Sequence, residues 1–301
     1  MAEALSAARP GPVRVWLLAI RPPTLSAAVV PVLVGTGLAI RDDVFDAGPA
    51  AAAMVGALLL QVGANLANDV ADFRRGADDE QRLGPPRVTQ QGMLSEREVT
   101  AGAAVAFALA ALAGIYLAAV AGWPVIAIGL ASIGAAVAYT AGPWPYGYRG
   151  LGDVFVFVFF GLLAVAGTYF VQAGELSGEV VAAAVPVALT VTAILNVNNV
   201  RDIDTDRRAG KLTLAVRLGR RLARWQFVAT LAAAYVAAAA LWLLGDFPGC
   251  VLLSWLTAPL AAPPMRAVLG SEDGLSLNRA LRETARLHLV FGLLLAIGVA
   301  V

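Results

Sequence analysis

Asparagine and aspartate recur at helical spacing in a stretch that follows a long apolar run. This stretch reads QVGANLANDVADFRRGADD over residues 61–79. At ~100° per residue, one face of a helix carries four of its polar side chains: Asn65, Asn68, Asp69 and Asp72. Five acidic side chains and two arginines lie within residues 68–80. Such a concentration of charge at the end of an apolar helix suggests a binding site.

A second stretch repeats this pattern, with Asp206 following Asp72 by 134 residues. It reads NVNNVRDIDTDRRAGK over residues 196–211. Two facing groups of carboxylates repel each other unless a cation lies between them. Magnesium fits best, because it takes one or two carboxylates from a protein and completes its shell with phosphate oxygens and water. The predicted ligands of this Mg²⁺ site are Asn68, Asp72, Asn199, Asp202 and Asp206.

Other acidic residues of the two stretches have a simpler interpretation, since charged side chains at helix ends are often only solvated. We prefer that interpretation for Asp78, Asp79, Glu80 and Asp204. It is less favoured for the five predicted ligands, because polar residues within a membrane are costly and usually face a cavity or a partner. One cysteine and one histidine give no basis for a zinc or copper site.

Basic residues flank both acidic stretches. Guanidinium groups bind phosphate oxygens bidentately, so arginines beside carboxylate-bound magnesium predict a site for a diphosphate whose remaining part is a lipid tail. An alternative for some of these residues is that they only anchor the chain at the membrane surface. The predicted diphosphate ligands are Arg74, Arg75, Arg149, Arg201, Arg207 and Lys211.

The helices that must position these residues are those of an integral membrane protein. The 301 residues are 59% hydrophobic and only 14% charged, and a helix that crosses ~30 Å of hydrocarbon needs ~20 mostly apolar residues. We expect a single transmembrane domain over residues 1–301. Its predicted spans are approximately 23–40, 50–70, 98–118, 122–140, 153–173, 179–200, 222–243, 248–267 and 284–301.

The distribution of basic residues predicts the orientation of these spans. Arg41 is the only one of the twenty-two lysines and arginines that lies outside the N-terminal segment and the loops after even-numbered spans. By the positive-inside rule, the N-terminus and the loops that carry the acidic stretches are cytoplasmic, and the C-terminus is external. We therefore expect a multi-pass protein of the cell membrane.

The two polar motifs resemble those of the UbiA-type intramembrane prenyltransferases. The paired aspartate motifs of that family are similar to N-D-x-x-D at residues 68–72 and N-x-x-D-x-x-x-D at residues 199–206. The chain departs from the family pattern at Gly76, where the first motif typically carries a further acid, and Asp78 follows two residues later. This departure concerns one edge of the predicted metal site.

One branch of the family, the 1,4-dihydroxy-2-naphthoate polyprenyltransferases of menaquinone biosynthesis, is similar along the whole chain. The segments that carry this similarity are RPPTLSAAVVPVLVGTGLA (21–39), GANLANDVADFRRGADDEQRLGPPRVTQQGMLS (63–95), NNVRDIDTDRRAGKLTLAVRLG (198–219) and LRETARLHLVFGLLLAIG (281–298). The resemblance implies an all-α bundle of nine transmembrane helices around a central cavity. Cytoplasmic loops at about 72–97 and 201–221 would cap that cavity.

The resemblance also implies a reaction, the transfer of a polyprenyl group from polyprenyl diphosphate to 1,4-dihydroxy-2-naphthoate. Carbon dioxide and diphosphate are lost, and demethylmenaquinol forms. Arg21 and Asn65 are expected to bind the acceptor. Tyr139 would stabilise an allylic cation through its ring or lie near the acceptor; alternatively, it serves as an interfacial aromatic anchor. The residues expected to be catalytic are Asp69, Asp72, Asp202, Asp206 and Tyr139.

Two other functions remain open at this point. A prenyltransferase of the same family can use another aromatic acceptor, such as 4-hydroxybenzoate. A secondary transporter also uses intramembrane carboxylates, but its site is expected near the bilayer midplane at broken helices, whereas both acidic stretches here lie at the cytoplasmic ends of predicted spans. The expected partners are the lipid bilayer and the two substrates; we expect no nucleic acid, and no protein partner is indicated.

Overall fold

The computed structural model describes residues 11–76, 83–84 and 87–301. Within these residues the protein is all-α, as predicted, with the helices α1 (Pro12–Ile20), α2 (Ser26–Arg41), α3 (Ala47–Arg74), α4 (Glu96–Ala121), α5 (Pro124–Ala138), α6 (Gly152–Val156), α7 (Ala164–Ala173), α8 (Gly178–Arg201), α9 (Ile203–Arg208), α10 (Leu214–Leu218), α11 (Arg220–Leu244), α12 (Ala258–Gly270) and α13 (Gly274–Ala300). A π-helical segment, Phe157–Leu163, joins α6 to α7. The 3₁₀ segments are Pro22–Thr24, Tyr146–Arg149 and Gly249–Thr257.

Six helical stretches of the described chain are long and apolar enough to cross a membrane. They are α3, α4, the continuous stretch Gly152–Ala173, α8, α11 and α13. A seventh span results if Pro12–Thr24 and Ser26–Arg41, which bend by 50° relative to each other, count as one. Two of the nine predicted spans do not meet this criterion, because α5 is short and the predicted span 248–267 is divided between a 3₁₀ segment and α12.

The two helices whose ends carry the acidic stretches start with side-chain caps. Asp46 accepts a hydrogen bond from the backbone N–H of Gly48 at 2.9 Å at the start of α3. Ser177 accepts one from Val180 at 3.3 Å at the start of α8. Such caps satisfy N–H groups that the first helical turn leaves without a partner. At the other end of α3, Gly76 adopts a φ of +65°, a conformation that glycine tolerates at little cost.

Helix α8 is the most buried of the six candidate membrane spans, since 72% of its most apolar 18-residue stretch is buried. It packs against α11, α13 and the π-helical segment. Gly161 of that segment lies directly against Ala188 of α8 and leaves no room for a side chain. Small residues allow membrane helices to approach this closely. Helix α8, whose C-terminal end carries the second acidic stretch, is therefore closely packed within the bundle.

A cluster around Arg41 joins three helices at the end of the bundle opposite to the acidic stretches. The Arg41 guanidinium donates to Asp42 at 2.7 Å and to Glu179 at 2.9 Å. The hydroxyl of Tyr169 donates to the other oxygen of Asp42 at 2.7 Å. The guanidinium also lies 4.6 Å from the ring centroid of Phe247. The Arg41 cluster thus connects the end of α2 to α7 and to the start of α8.

Candidate active site

The second acidic stretch occupies two helices rather than the single helix that its spacing predicts. Helix α8 ends at Arg201, and α9 begins at Ile203. Asp202 stands between them with φ −94° and ψ 7°. The backbone N–H of Asp202 still donates to Asn198 at 3.1 Å, and that of Asp206 donates to Asp202 at 2.8 Å. The four-residue spacing of the backbone hydrogen bonds therefore continues across the break.

The two acidic stretches meet at one end of the bundle. Asp72 and Asp206 are 3% and 8% exposed, and their carboxylates are close enough to interact electrostatically. The Nζ of Lys211 lies 3.6 Å from Asp206 Oδ1 and also interacts with Asp72. The predicted convergence of Asp72 and Asp206, which are distant in sequence, is therefore present.

Burial and the neighbouring opposite charges have opposing effects on the pKa values of Asp206 and Lys211. Burial raises the pKa of Asp206 to about 6; Lys211 opposes this effect, while Asp202 and Asp72 add to it. Burial alone would lower the pKa of Lys211, but the carboxylates of Asp72 and Asp206 outweigh burial, and the net pKa is raised. Lys211 thus remains a cation between two acids. A second cation or an anionic ligand bound beside Asp72, Asp206 and Lys211 would change the electrostatic interactions among these three side chains.

Arg87 lies against the two aspartates of α3. Its Nη2 is 2.9 Å from Asp72 Oδ2, and its Nη1 is 4.0 Å from Asp69 Oδ2. The backbone N–H of Thr89 donates to Asp69 Oδ1 at 3.2 Å. All four residues are buried, so the short segment 87–89 packs onto the end of α3. Arg87 is a site residue that helical spacing does not reveal, because it arrives from a loop.

Tyr148 joins the two halves of the site and is a second residue that the motifs do not reveal. Its hydroxyl donates to Asp72 Oδ1 at 3.0 Å. The centroid of its ring lies 5.4 Å from Lys211 Nζ and 5.2 Å from Arg75 Cζ. Burial, followed by the charge of Asp72, raises the pKa of the Tyr148 hydroxyl above its ordinary value. The hydroxyl therefore stays protonated and donates to the carboxylate.

Arg201 is 2% exposed and binds side chains of the protein through all three of its side-chain nitrogens. Its Nε and Nη2 donate to the two oxygens of Asp202 at 2.8 and 2.6 Å. Nη2 also donates to Asn198, and Nη1 donates to Asn278, each at 2.8 Å. This arrangement differs from the diphosphate contact predicted for Arg201. In the structure the guanidinium holds the Asp202 carboxylate and connects it to α13.

Asn65 and Arg21 lie where α3 meets the start of α2. The side-chain amide of Asn65 donates to the carbonyl of Ile20 at 2.8 Å and to Thr24 Oγ1 at 2.9 Å. Asn65 thus ties the two segments together, which differs from the direct acceptor contact predicted for it. Arg21 adopts a left-handed backbone conformation with φ 57°. Its Nη2 lies 3.7 Å from Asp69 Oδ2.

The remaining predicted polar and aromatic residues surround the same region. The hydroxyl of Thr140 donates to Asn68 Oδ1 at 2.7 Å, and Asn199 is 4% exposed. The ring of Tyr139 packs edge-on against Tyr146, with 5.4 Å between centroids. Tyr139 also lies within electrostatic range of the site carboxylates and of Lys211. Tyr139 therefore lies beside the site.

The predicted arginines next to the first stretch have different surroundings. Arg74 is exposed, and its Nε donates to Glu96 at 2.8 Å. Arg75 donates to the carbonyls of Thr140 and Gly142 at 2.9 and 2.8 Å. Arg75 therefore turns toward the loop after α5 and the ring of Tyr148, whereas Arg74 turns toward the start of α4.

Arg149 and Arg207 lie on the exposed surface of the same end. The guanidinium of Arg149 is 5.0 Å from the ring centroid of Trp144. Arg207 Nη1 lies 3.8 Å from the exposed carboxylate of Asp204. Side chains with this exposure are able to reorient toward a ligand. Asp78, Asp79 and Glu80 lie outside the described residues.

The donors available for a metal are carboxylate and amide oxygens, which suit a hard cation such as magnesium. Within residues 11–76, 83–84 and 87–301, no three side chains of His, Cys, Asp or Glu converge closely enough to hold a metal by themselves. Magnesium normally takes only one or two carboxylates from a protein and completes its shell with water and phosphate. The buried, electrostatically coupled pair of Asp72 and Asp206 meets that requirement.

Comparison with known proteins identifies the family of this chain. The model of the UbiA prenyltransferase family matches residues 28–296. The 1,4-dihydroxy-2-naphthoate octaprenyltransferase of Escherichia coli (strain K12) is 38% identical over 293 residues, which cover 94% of each chain. The enzyme of the same name from Mycobacterium tuberculosis (strain ATCC 25618 / H37Rv) is 40% identical over 281 residues, covering 93% of this chain and 95% of that protein.

Solved structures show the same fold. A UbiA homolog from Aeropyrum pernix K1 superposes with a TM-score of 0.71 at 20% identity, covering 91% of this chain and 96% of that one. A UbiA homolog from Archaeoglobus fulgidus bound to GPP and Mg²⁺ gives a TM-score of 0.62 at 18% identity, covering 92% and 98%. At these identities the likeness concerns the fold alone.

Proposed function

The chain belongs to the UbiA prenyltransferase family, and we propose that it transfers a polyprenyl group from polyprenyl diphosphate to 1,4-dihydroxy-2-naphthoate. The bond between the prenyl carbon and diphosphate breaks, and that carbon bonds to the naphthalene ring. The ring loses its carboxyl group as carbon dioxide, and demethylmenaquinol results. The observation that carries this proposal is identity of 30–40% to naphthoate octaprenyltransferases over more than nine-tenths of both chains.

We further propose that the two acidic stretches hold Mg²⁺. When bound, magnesium would neutralise the charge that develops on the leaving diphosphate. Asp72 and Asp206 support this assignment, because they come from separate stretches and bring two buried negative charges together. The proposed ligands are Asn68, Asp72, Asn199, Asp202 and Asp206.

Lys211 is the basic residue best supported as a diphosphate ligand. It is charged, largely buried and directed at Asp206, so it would contact phosphate oxygens wherever these two carboxylates receive the metal. Arg75, Arg149 and Arg207 lie on the same end of the protein, and we propose that they complete the diphosphate site. Arg201 instead acts as a positioning residue, since it fixes the Asp202 carboxylate through two hydrogen bonds.

For the acceptor, we propose that Arg21 binds the naphthoate carboxylate. Arg21 lies at the bend between α1 and α2, and its guanidinium is directed toward the buried end of α3. Asp69, next to it, would orient a hydroxyl of the acceptor. Tyr139 would shield the allylic carbon from water and stabilise its positive charge through the ring. Asn65 would support Arg21 by fixing the backbone of the same bend.

The membrane arrangement forms part of the proposal. We propose nine membrane-crossing segments around a central cavity, with the loops at about 72–97 and 201–221 on the cytoplasmic side and the C-terminus external. The distribution of Lys and Arg supports this orientation. Labelling of single cysteines in these loops and at the C-terminus, with a reagent that does not cross the membrane, tests it in intact cells.

Product identification tests the proposed reaction. The purified protein in detergent is incubated with Mg²⁺, a set of polyprenyl diphosphates of different lengths and either dihydroxynaphthoate or 4-hydroxybenzoate. We expect prenylated, decarboxylated naphthol products by mass spectrometry, and the set of donors reveals the preferred chain length. Prenylation of 4-hydroxybenzoate without any naphthoate product would contradict the assignment of the acceptor.

A vesicle assay separates the enzyme from the transporter alternative. Diphosphate release that requires both Mg²⁺ and the naphthoate is expected from the reconstituted protein. Uptake of an ion or substrate into sealed vesicles, without any diphosphate release, would refute the enzymatic proposal. The position of both acidic stretches at the C-terminal ends of α3 and α8 favours the enzyme.

A further inference from the structure

A cavity of about 480 Å³ lies between the start of α11 and the end of α12, and the proposed reaction does not use it. Its lining combines three arginines with one acid and two large apolar side chains, namely Arg220, Arg221, Arg224, Trp225, Leu269 and Glu272. The lining therefore carries a net positive charge. None of these residues belongs to the proposed metal, diphosphate or acceptor sites.

The three guanidinium groups differ in how far the protein satisfies them. Arg224 donates to the carbonyl of Ser271 at 2.7 Å and lies 3.4 Å from Glu272, but its buried Nε has no acceptor. Arg220 pairs with Asp204 at 2.5 Å. Arg221 is exposed and has no acidic partner in the part of the chain that the structure describes. Two arginines thus retain donors for an external anion.

The position of the cavity indicates where that anion comes from. Helix α11 is long and apolar enough to cross the membrane, and the arginines occupy its first two turns. Trp225 and Leu222, on the same turns, are 55% and 56% exposed. Tryptophan is enriched at the level of the lipid headgroups. Basic pockets between membrane helices bind the headgroups of anionic phospholipids.

We propose that this cavity binds the phosphate headgroup of an anionic phospholipid. The guanidinium groups of Arg221 and Arg224 would donate to the phosphate oxygens, while the acyl chains follow the exposed apolar side of α11. A bound headgroup would also connect α11 to the segment that follows α12, because Arg224 already contacts Ser271. The site thus differs from the diphosphate site in both its residues and its ligand.

The test uses delipidated, full-length protein in a neutral detergent. Its thermal unfolding midpoint is measured during titration with phosphatidylglycerol, phosphatidylcholine or inorganic phosphate, and retained lipids are counted by native mass spectrometry. We expect a saturable rise of the midpoint with phosphatidylglycerol only. Arg221→Gln should weaken that lipid binding roughly tenfold, because one hydrogen bond between charged groups is lost.

Matched variants decide the outcome. Arg282→Gln removes another exposed arginine, from α13 and outside the cavity, and should bind phosphatidylglycerol like the wild type. Arg224→Gln should lose as much affinity as Arg221→Gln or more, and Arg221→Gln alone suffices if Arg224→Gln does not fold. Equal losses in Arg221→Gln and Arg282→Gln would show a diffuse charge effect. An equal response to inorganic phosphate would show a general anion site; either result would overturn the proposal.

Discussion

Replacing Arg201 with glutamine gives the sharpest test of how the candidate site is built. The structure assigns this buried arginine to the support of Asp202, whereas motif spacing assigns it to the diphosphate. Arg201→Gln removes a charged fork that donates two hydrogen bonds to Asp202 and one each to Asn198 and Asn278. The two assignments predict different losses, because one concerns the stability of the protein and the other concerns substrate affinity.

The expected loss of stability follows from the burial of the pair. The side chains of Arg201 and Asp202 are 1% and 9% exposed, and removing one partner of such a buried pair costs about 3–5 kcal/mol. For a chain of this size, each kcal/mol lowers the unfolding midpoint by roughly 2–4 °C. We therefore expect a decrease of about 10 °C. Neutralising the carboxylate as well, in Arg201→Gln with Asp202→Asn, should restore part of this loss.

The assay measures the thermal midpoint in detergent together with KM for polyprenyl diphosphate at a temperature where every variant is folded. Arg208→Gln is the matched control, since Arg208 is an exposed arginine on neighbouring α9 and should leave the midpoint within about 1 °C of the wild type. An unchanged midpoint in Arg201→Gln, combined with a KM raised tenfold or more, would refute the positioning role and identify Arg201 as a diphosphate ligand.

Three further substitutions test other parts of the structure. Asp206→Ala should reduce turnover by at least ~10³-fold without loss of folded protein, whereas Asp204→Asn should keep near-wild-type activity; equal activity of both variants would contradict the metal assignment. Lys211→Met should raise KM for polyprenyl diphosphate roughly tenfold or more, and an unchanged KM would remove it from the diphosphate site. Gly161→Ala should lower stability by about 1–3 kcal/mol through overpacking, while Gly134→Ala, with open space around it, should not; thermal melts compare them.

The polar motifs were predictable because they depend on one helical period. The concentration of Asn and Asp at the ends of α3 and α8 follows from sequence spacing, and the structure brings Asp72 and Asp206 together as expected. The family and the all-α fold were also predictable, because the apolar runs and the motifs extend along the whole chain.

Contacts between loops were not predictable in this way. Arg87 and Tyr148 reach Asp72 from segments that lie 15 and 76 positions away, and no periodic pattern connects residues across such loops. The hydrogen-bond partners of Arg201 were equally unpredictable, because helical spacing shows on which face of the helix a side chain lies but not which residues it contacts. Only the packing of α13 beside α8 reveals that Asn278 Oδ1 accepts a hydrogen bond from Arg201 Nη1.

The number of membrane spans was harder to predict than their approximate positions. Hydropathy marks apolar runs without showing whether they form straight helices. The apolar run predicted at 122–140 forms α5, whose 15 residues are fewer than the ~20 that a membrane span needs. The run predicted at 248–267 begins as the 3₁₀ segment Gly249–Thr257 and continues as α12. Backbone geometry of this kind depends on neighbouring helices and on prolines such as Pro263.

The Arg41 cluster links the direction of α2 to that of α8, because its ion pair joins the end of one helix to the start of the other. Asp42 and Glu179 both offset the charge of Arg41 at this end of the bundle. The ion pair between Arg41 and Glu179 requires the start of α8 to lie at the same end of the bundle as the end of α2. An inverted α8 would leave this bond unmade, so the contact stabilises the correct topology over misinserted forms.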